Sequence, residues 1–263
     1  MKDILGLQGQ PTLVVGGGYG IGRATALLLA EAGAQVAVAD IDGERAASVA
    51  KEVGGHAIVG DVTTAAGADA IVDEAHDVLG GLTRLANIVG RVQMREFEDT
   101  DPAQWQDQIQ FNLVQQMHVC HAAGRHMRAR GGAIAMVASV SGIYGARKHV
   151  AYGAAKAGVL SLARSLADEW GRYGIRVNTV APDINATPRI LDGANRPIDE
   201  ALASMDAKAA REGVPLGRFG RPEEVAGPLL FLLSDLSSFM TGQCLVADGG
   251  TMARFPHAVA GEG

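Results

Sequence analysis

Cysteine is scarce. The chain of 263 residues holds two, Cys120 and Cys244, and neither stands in a Cys-x-x-Cys pair or a Cys/His array. That pattern excludes zinc-ribbon and thioredoxin-like chemistry, and no metal constellation is visible. So few thiols in a chain of this length fit a reducing cytoplasm, the expected location. Positive charge is also in short supply: 23 Lys and Arg face 29 Asp and Glu, for a net charge of −6. The densest basic run, Arg147-Lys148-His149, is too short for a phosphate-backbone surface, so nucleic acid is not an expected partner. Long apolar runs are missing as well. Nothing approaches the roughly 18 consecutive apolar residues of a membrane span, and Met1–Gln8 has no sustained apolar stretch of the export-signal kind. No membrane partner is expected.

What is present is alternation. Short runs rich in Val, Ile and Ala occur at Thr12–Val15, Gln35–Ala39, His56–Val59, Leu85–Val89, Ala133–Ala138, Ile175–Val180 and Gln243–Ala247. They suit strands covered on both faces. Longer amphipathic stretches lie between them, at Ile21–Ala32, Ala65–Leu79, Pro102–Arg128, Ala151–Arg172 and Pro222–Ser234. Gly33, Gly54-Gly55 and Gly80-Gly81 stand where helices should stop, and Pro228 predicts a kink in the last helix. With no repeat and no linker, the chain reads as one domain over 1–263. The expected class is α/β, a mostly parallel seven-stranded sheet with helices on both faces. One irregular stretch, about 183–220, is long enough to be a functional lid over the substrate. A βα barrel would alternate in the same way, but barrels tend to place phosphate sites after their late strands, and here the glycines come after the first.

That first turn reads Gly16-Gly17-Gly18-Tyr19-Gly20-Ile21-Gly22 and leads directly into a helix. A dinucleotide site needs a sharp turn, a close approach of pyrophosphate to backbone, and tight packing of helix on strand. The helix start then offers free N–H groups to phosphate. Asp40 closes the second strand, where a carboxylate can accept from the ribose hydroxyls and repel a 2′-phosphate, so NAD is expected over NADP. Asp42 fits better as a residue opening the next helix. Asp61 closes the third strand and could meet the adenine.

Tyr152 and Lys156 are four residues apart in a helical segment, which stacks them on one face. A tyrosine is a poor base at neutral pH, but a nearby ammonium favours phenolate and would let it take an alcohol proton. Tyr144 and Lys148 share that spacing, yet Gly142 and Gly145 make their segment a loop. Ser139 closes the fifth strand, at the sheet edge where open α/β sheets bind ligands; a plain turn role, or Ser141 in its place, remains an alternative. Asn112 sits mid-helix, where asparagine is a poor choice. It has either a special role or a buried amide satisfied by backbone.

Taken in order, Gly16…Gly20-Ile21-Gly22, Asp61-Val62, Asn87…Gly90, Asn112, Ser139, Tyr152…Lys156, Arg176-Val177-Asn178…Pro182 and Thr241-Gly242…Asp248-Gly249-Gly250 resemble the short-chain dehydrogenase/reductase family from Thr12 to Gly250. The resemblance implies a Rossmann-like, doubly wound fold and an NAD cofactor. It implies Tyr152 as general acid/base, Lys156 on the nicotinamide ribose, Ser139 on the substrate oxygen and Asn112 holding a relay water. It also implies a cofactor cleft lined by Gly16, Gly18, Tyr19, Gly20, Ile21, Asp40, Ile41, Asp61, Val62, Asn87, Val89, Gly90, Pro182, Asn185 and Thr187. Members similar to this chain are often tetramers, and the apolar region around Phe231 and Val246 would suit such an interface. The chain departs from the family pattern at Val15, at Asn87-Ile88-Val89-Gly90 (one amide fewer), at Asp183 after Pro182, and at Asn185.

The expected activity is hydride transfer between NAD(H) and a secondary alcohol or ketone, bulky and largely apolar. The candidate substrate residues are Arg91, Gln93, Ile143, His149 and Ile190, with Arg91 or Arg147 as a partner for any carboxylate. Two alternatives were weighed against it. An NADPH-dependent keto-thioester reductase would want a basic residue near the glycines or after the second strand; Tyr19 and Asp40 offer none, although Arg23 is close in sequence. A silent nucleotide-sensing module would have little reason to keep Asn112, Ser139, Tyr152 and Lys156 together.

Overall fold

The computed structural model describes residues 3–192, 198–211 and 213–253. Its seven strands are β1 (Pro11–Val15), β2 (Gln35–Asp40), β3 (His56–Val59), β4 (Arg84–Asn87), β5 (Gly132–Val137), β6 (Ile175–Pro182) and β7 (Cys244–Ala247). They form one sheet in the order β3-β2-β1-β4-β5-β6-β7. Every neighbouring pair is parallel, a stricter arrangement than the mostly parallel sheet expected.

The alternation of side chains along each strand builds two apolar layers. Leu13 and Val15 of β1, with Ala37 and Ala39 of β2, face α3 (Ala65–Leu79), α5 (Gln115–Met127) and α6 (Val150–Trp170). Val14, Val36 and Val38 point the other way, onto α1 (Gly20–Glu31), α2 (Gly43–Val53) and α9 (Pro222–Leu233). Each Leu or Val buried in these layers contributes about 1.5–3 kcal/mol of transfer free energy. The predicted stops hold: Gly54 and Gly80 end α2 and α3 in the left-handed conformation at φ 62° and 68°.

Two elements differ from the sequence expectation. The stretch Pro102–Arg128 is not one α-helix. It is α4 (Pro102–Ile109), a π-helical turn Gln110–Val114, and α5. The irregular stretch at 183–220 is largely helical, with α7 (Pro188–Asp192) and α8 (Ile198–Arg211); residues 193–197 and 212 lie outside the described part. These helices build small apolar clusters of their own around Leu191 and Phe219, joined through Met205. Backbone bonds from Ala186 N to Gly220 O and from Gly220 N to Ile184 O close the segment at its neck. Helix α9 contains Pro228 within its span, as the sequence places it.

The chain order reverses between β1 and β4. A crevice opens there at the carboxyl ends of the strands, where such sheets bind their ligands.

Candidate active site

The glycine turn is held to the sheet by its own backbone. Gly16 N and Gly17 N both donate to Ala39 O, at 2.8 and 3.0 Å, and Gly16 has φ +76°. A Cβ on Gly22 would collide with the Gly16 carbonyl, so α1 lies against the turn as closely as glycine permits. Tyr19 gives α1 no side-chain cap, and its first turn holds no acidic residue. Gly22 N donates to Tyr19 O at 3.0 Å, and the helix start ahead of it faces the cleft, where an anion is favoured.

In front of this turn lies a cleft of about 430 Å³. Gly16, Tyr19, Gly20 and Ile21 form one wall; Asp40 and Ile41 follow from β2, and Asp61 and Val62 from β3. Val89 and Gly90 follow β4, and Thr187 closes the far side. Gly18 supports the wall from behind: its N–H donates to Asp40 Oδ2 at 3.0 Å, while Asp42 N–H donates to Asp40 Oδ1 at 3.1 Å. The Asp40 carboxylate is thus fixed in orientation. Asp42 caps α2, accepting from Glu44 N and Arg45 N, as its sequence position suggests.

Besides Gly18, and Tyr152 and Lys156 further along, Asn87, Asn185 and Pro182 were expected at the cofactor and do not line this cleft. Asn87 is fully buried, and its Nδ2 donates to Gln115 Oε1 at 3.0 Å. Asn185 is buried, with its Nδ2 on the Asp183 carbonyl at 2.7 Å. Pro182 ends β6 as a buried strand residue.

The expected catalytic group converges at the end of β5. Tyr152 and Lys156 share one face of α6, with Lys156 Nζ 5.7 Å from the Tyr152 ring centroid. Lys156 is 1% exposed, and Nζ donates to Val137 O at 2.8 Å. Burial pulls its pKa down to about 7. Burial also pushes the Tyr152 phenol upward, and its hydrogen bond with Ser139 pulls the other way. A Cβ on Gly90 would stand 3.0 Å from Lys156 Nζ and 3.2 Å from Asn112 Oδ1, so the chain leaving β4 passes between the two. Ser139 Oγ also accepts from Ser141 N at 3.2 Å; the turn role and the contact with Tyr152 coexist. Tyr144, the rival of equal spacing, lies in the turn after β5 and is 40% exposed.

Asn112 stands in the π-helical turn. Its Nδ2 donates to Gln108 O at 3.0 Å and Arg91 O at 2.9 Å, and Oδ1 accepts from Arg91 N at 3.0 Å. The side-chain amide is thus satisfied by the backbone of Arg91 and Gln108. Gln115 acts in parallel, donating to Val89 O at 3.0 Å, and Gln108 Oε1 accepts from Gln93 N at 3.3 Å. Three amides along one helical stripe therefore fix the wall from Asn87 to Gln93. Sequence reading missed Gln108 and Gln115; their spacing of four and three residues from Asn112, on one helical stripe, was the available signal.

The candidate substrate side chains divide. His149 Nδ1 lies 2.9 Å from Ser141 Oγ, and its ring stands edge-on to Tyr152 with centroids 5.7 Å apart. Gln93 borders Tyr152 in a small crevice, and Ile143 and Ile190 are exposed. The arginines are already engaged. Arg91 holds Asp107 at 2.6 Å and lies over the Phe111 ring, and Arg147 pairs with Glu96 at 2.8 Å. Each thus has an acidic partner on its own surface, in a pair open to water. Arg23, the cation nearest the glycines in sequence, pairs with Glu52.

A family profile described as enoyl-(acyl carrier protein) reductase matches residues 16–252. Cis-4-hydroxycyclohexanecarboxylate dehydrogenase of Sinomonas cyclohexanicum is 40% identical over 248 residues, covering 92% of this chain and 96% of its own. The chain belongs to the short-chain dehydrogenase/reductase family. An NAD-dependent glycerol dehydrogenase of Listeria innocua is 35% identical over 242 residues, covering 90% of this chain and 92% of its own. A solved short-chain dehydrogenase/reductase from Mycobacterium marinum superposes with a TM-score of 0.85 at 33% identity, over 96% of this chain and 99% of that one. As a family member this protein is an oxidoreductase of the alcohol and ketone class that uses a nicotinamide dinucleotide. The cleft fits such a cofactor: the glycine turn leaves no room for side chains, the start of α1 is unblocked, and carboxylates face the ribose end. Among the described residues no helix is long and apolar enough to cross a membrane.

Proposed function

We propose that this protein is an NAD(H)-dependent dehydrogenase that interconverts a secondary alcohol and its ketone, the substrate being bulky and largely apolar. The observation that carries the cofactor choice is Asp40, whose carboxylate is fixed by Gly18 N and Asp42 N at the ribose end of the cleft. Two acceptor oxygens there suit a ribose diol and repel a 2′-phosphate. The bound nicotinamide supplies the hydride acceptor or donor. Tyr152 takes the carbinol proton, or returns it to the ketone oxygen, and Ser139 holds that same oxygen by its hydroxyl. Lys156, buried behind the tyrosine, holds the nicotinamide ribose and carries the proton onward. The wall that meets the nicotinamide, Val89 to Arg91, is held by Gln115 and Asn112.

Ile143, His149, Gln93 and Ile190 face the substrate in this reading, with the segment 183–220 as its cover. The exposed apolar side chains Ile143 and Ile190 favour a ring or a branched carbon skeleton. The test is a panel of secondary alcohols of increasing size with NAD⁺ and, separately, NADP⁺, followed by absorbance of the reduced cofactor. Turnover with NAD⁺, rising toward cyclic alcohols, is the expected result. Turnover with NADP⁺ alone would overturn the cofactor assignment and favour the keto-thioester reductase reading.

The same proposal includes a homotetramer in the cytoplasm. Strand β7 is the last in the sheet, Val246 on it is 44% exposed, and Phe231 of α9 is only partly buried. Both cysteines are free, as a reducing compartment leaves them. Light scattering at micromolar concentration should give four times the chain mass; a monomer would reject the assembly.

A further inference from the structure

The cofactor cleft contains a cation that the sequence reading passed over. Arg45, in the first turn of α2, lines the cleft beside Asp40, Asp42 and Tyr19. Its guanidinium carbon lies 4.5 Å over the Tyr19 ring centroid, and its Nε is 3.2 Å from Asp42 Oδ2. The spatial link to the ribose end is direct. A Cβ built on Gly18 would stand 2.8 Å from both Arg45 Cβ and Asp40 Oδ2, so the arginine springs from the rim that carries the selecting carboxylate.

We infer that Arg45 is a specificity-determining residue for the cofactor: a guanidinium placed to receive a 2′-phosphate and kept from doing so by Asp40. The inference rests on the reading of this cleft as an NAD site with Asp40 at the ribose. Discrimination in this chain then follows from one negative charge, and not from want of a positive one. The Arg45 side chain is 50% exposed and that of Asp42 is 40% exposed. An ion pair so open to water is weak, and a phosphate dianion competes for the guanidinium through short, charge-assisted hydrogen bonds. The Tyr19 ring holds the guanidinium flat at the rim by cation–π contact, which limits the entropy lost on binding. Asp40 is the element that prevents this, because its carboxylate already fills the place where a phosphate would stand. Arg23, nearer in sequence, does not have this role, since it is not part of the cleft lining.

The test needs no substrate. The full chain is titrated with NADH and with NADPH, following the fluorescence of the bound nicotinamide, for wild type, Asp40→Asn and Asp40→Ser, each also combined with Arg45→Ala and with Arg45→Lys. Thermal melts report folding. Wild type should prefer NADH; preference for NADPH at this first step would overturn the reading of Asp40 itself, before any variant is considered. Either Asp40 substitution should tighten NADPH by about tenfold or more, the worth of one charge-assisted contact. Adding Arg45→Ala should remove most of that gain and Arg45→Lys only part of it. Two results would overturn the inference: a folded Asp40 variant that binds NADH but gains nothing for NADPH, or a gain that persists in full without Arg45. Added salt should shrink the gain, since the contact is half exposed.

Discussion

Replacement of Tyr152 by phenylalanine should lower turnover of the best alcohol by about 10³-fold or more, within the range for loss of a positioned proton-transfer group. The ring stays, and with it the edge-on contact to His149; only the hydroxyl and its bond to Ser139 are lost. Melting temperature should therefore move by no more than a few degrees, the weight of one hydrogen bond in a domain of this size. Tyr144→Phe, in the exposed turn, should retain most activity. Initial rates of NADH formation for the two variants side by side decide the matter, and the reverse pattern would sink the assignment. The pH profile adds a sign. Burial raises the Tyr152 phenol above its ordinary value in the free protein, against the Ser139 hydrogen bond. Alcohol oxidation should accordingly climb with pH through the neutral range as the phenolate fraction grows.

The second large effect runs in opposite directions for activity and stability. Lys156→Met should reduce turnover by about 100-fold or more, because both the ribose contact and the proton carrier are removed. It should also stabilise the fold by about 1–3 kcal/mol near neutral pH, since a methionine of similar length needs no solvation in that site. Lys156 titrates at about 7 in the folded protein against 10.5 ordinarily. Between those values the unfolded chain binds a proton that the folded chain does not, so wild-type stability rises with pH across that window. The penalty is full below about pH 7 and is gone above about 10.5. Denaturant unfolding of wild type and variant at pH 6, 8 and 10 should show the gap between them narrowing. A variant less stable than wild type at all three would mean that the Val137 carbonyl contact outweighs the buried charge.

Why one tyrosine could be chosen from two on sequence alone is visible in the fold. Gly142 and Gly145 keep the Tyr144 segment out of helix, while the Ala- and Leu-rich run after Val150 carries Tyr152 and Lys156 on one face. The glycine turn was legible for a similar reason: its chemistry is local, and Gly22 can be no other residue against the Gly16 carbonyl. What sequence did not reveal depends on contacts distant along the chain. Gln115 reaches back 28 residues to Asn87, and nothing near either residue announces the pair. The break in the helix at Asn112 arises where its amide bonds the backbone of Arg91 and of Gln108, a tertiary effect on a stretch that reads locally as one helix. Nothing in the sequence around Arg45 marks it out; its place at the cleft goes with how closely Gly18 approaches it. Arg91 and Arg147 looked available because their partners, Asp107 and Glu96, come from neighbouring elements.

The segment carrying α7 and α8 builds its apolar clusters from its own residues and joins the sheet at the neck formed by Ile184, Ala186 and Gly220. Divergence can act there as on an interchangeable cassette. Residues packed inside its own clusters can vary so long as that joint, Thr187 at the cleft and the ties to Gly249, Arg221 and Glu224 are kept, while the tyrosine, lysine and serine stay bound to β5 and α6. New substrates can thus be tried by such a chain without risk to the chemistry that converts them.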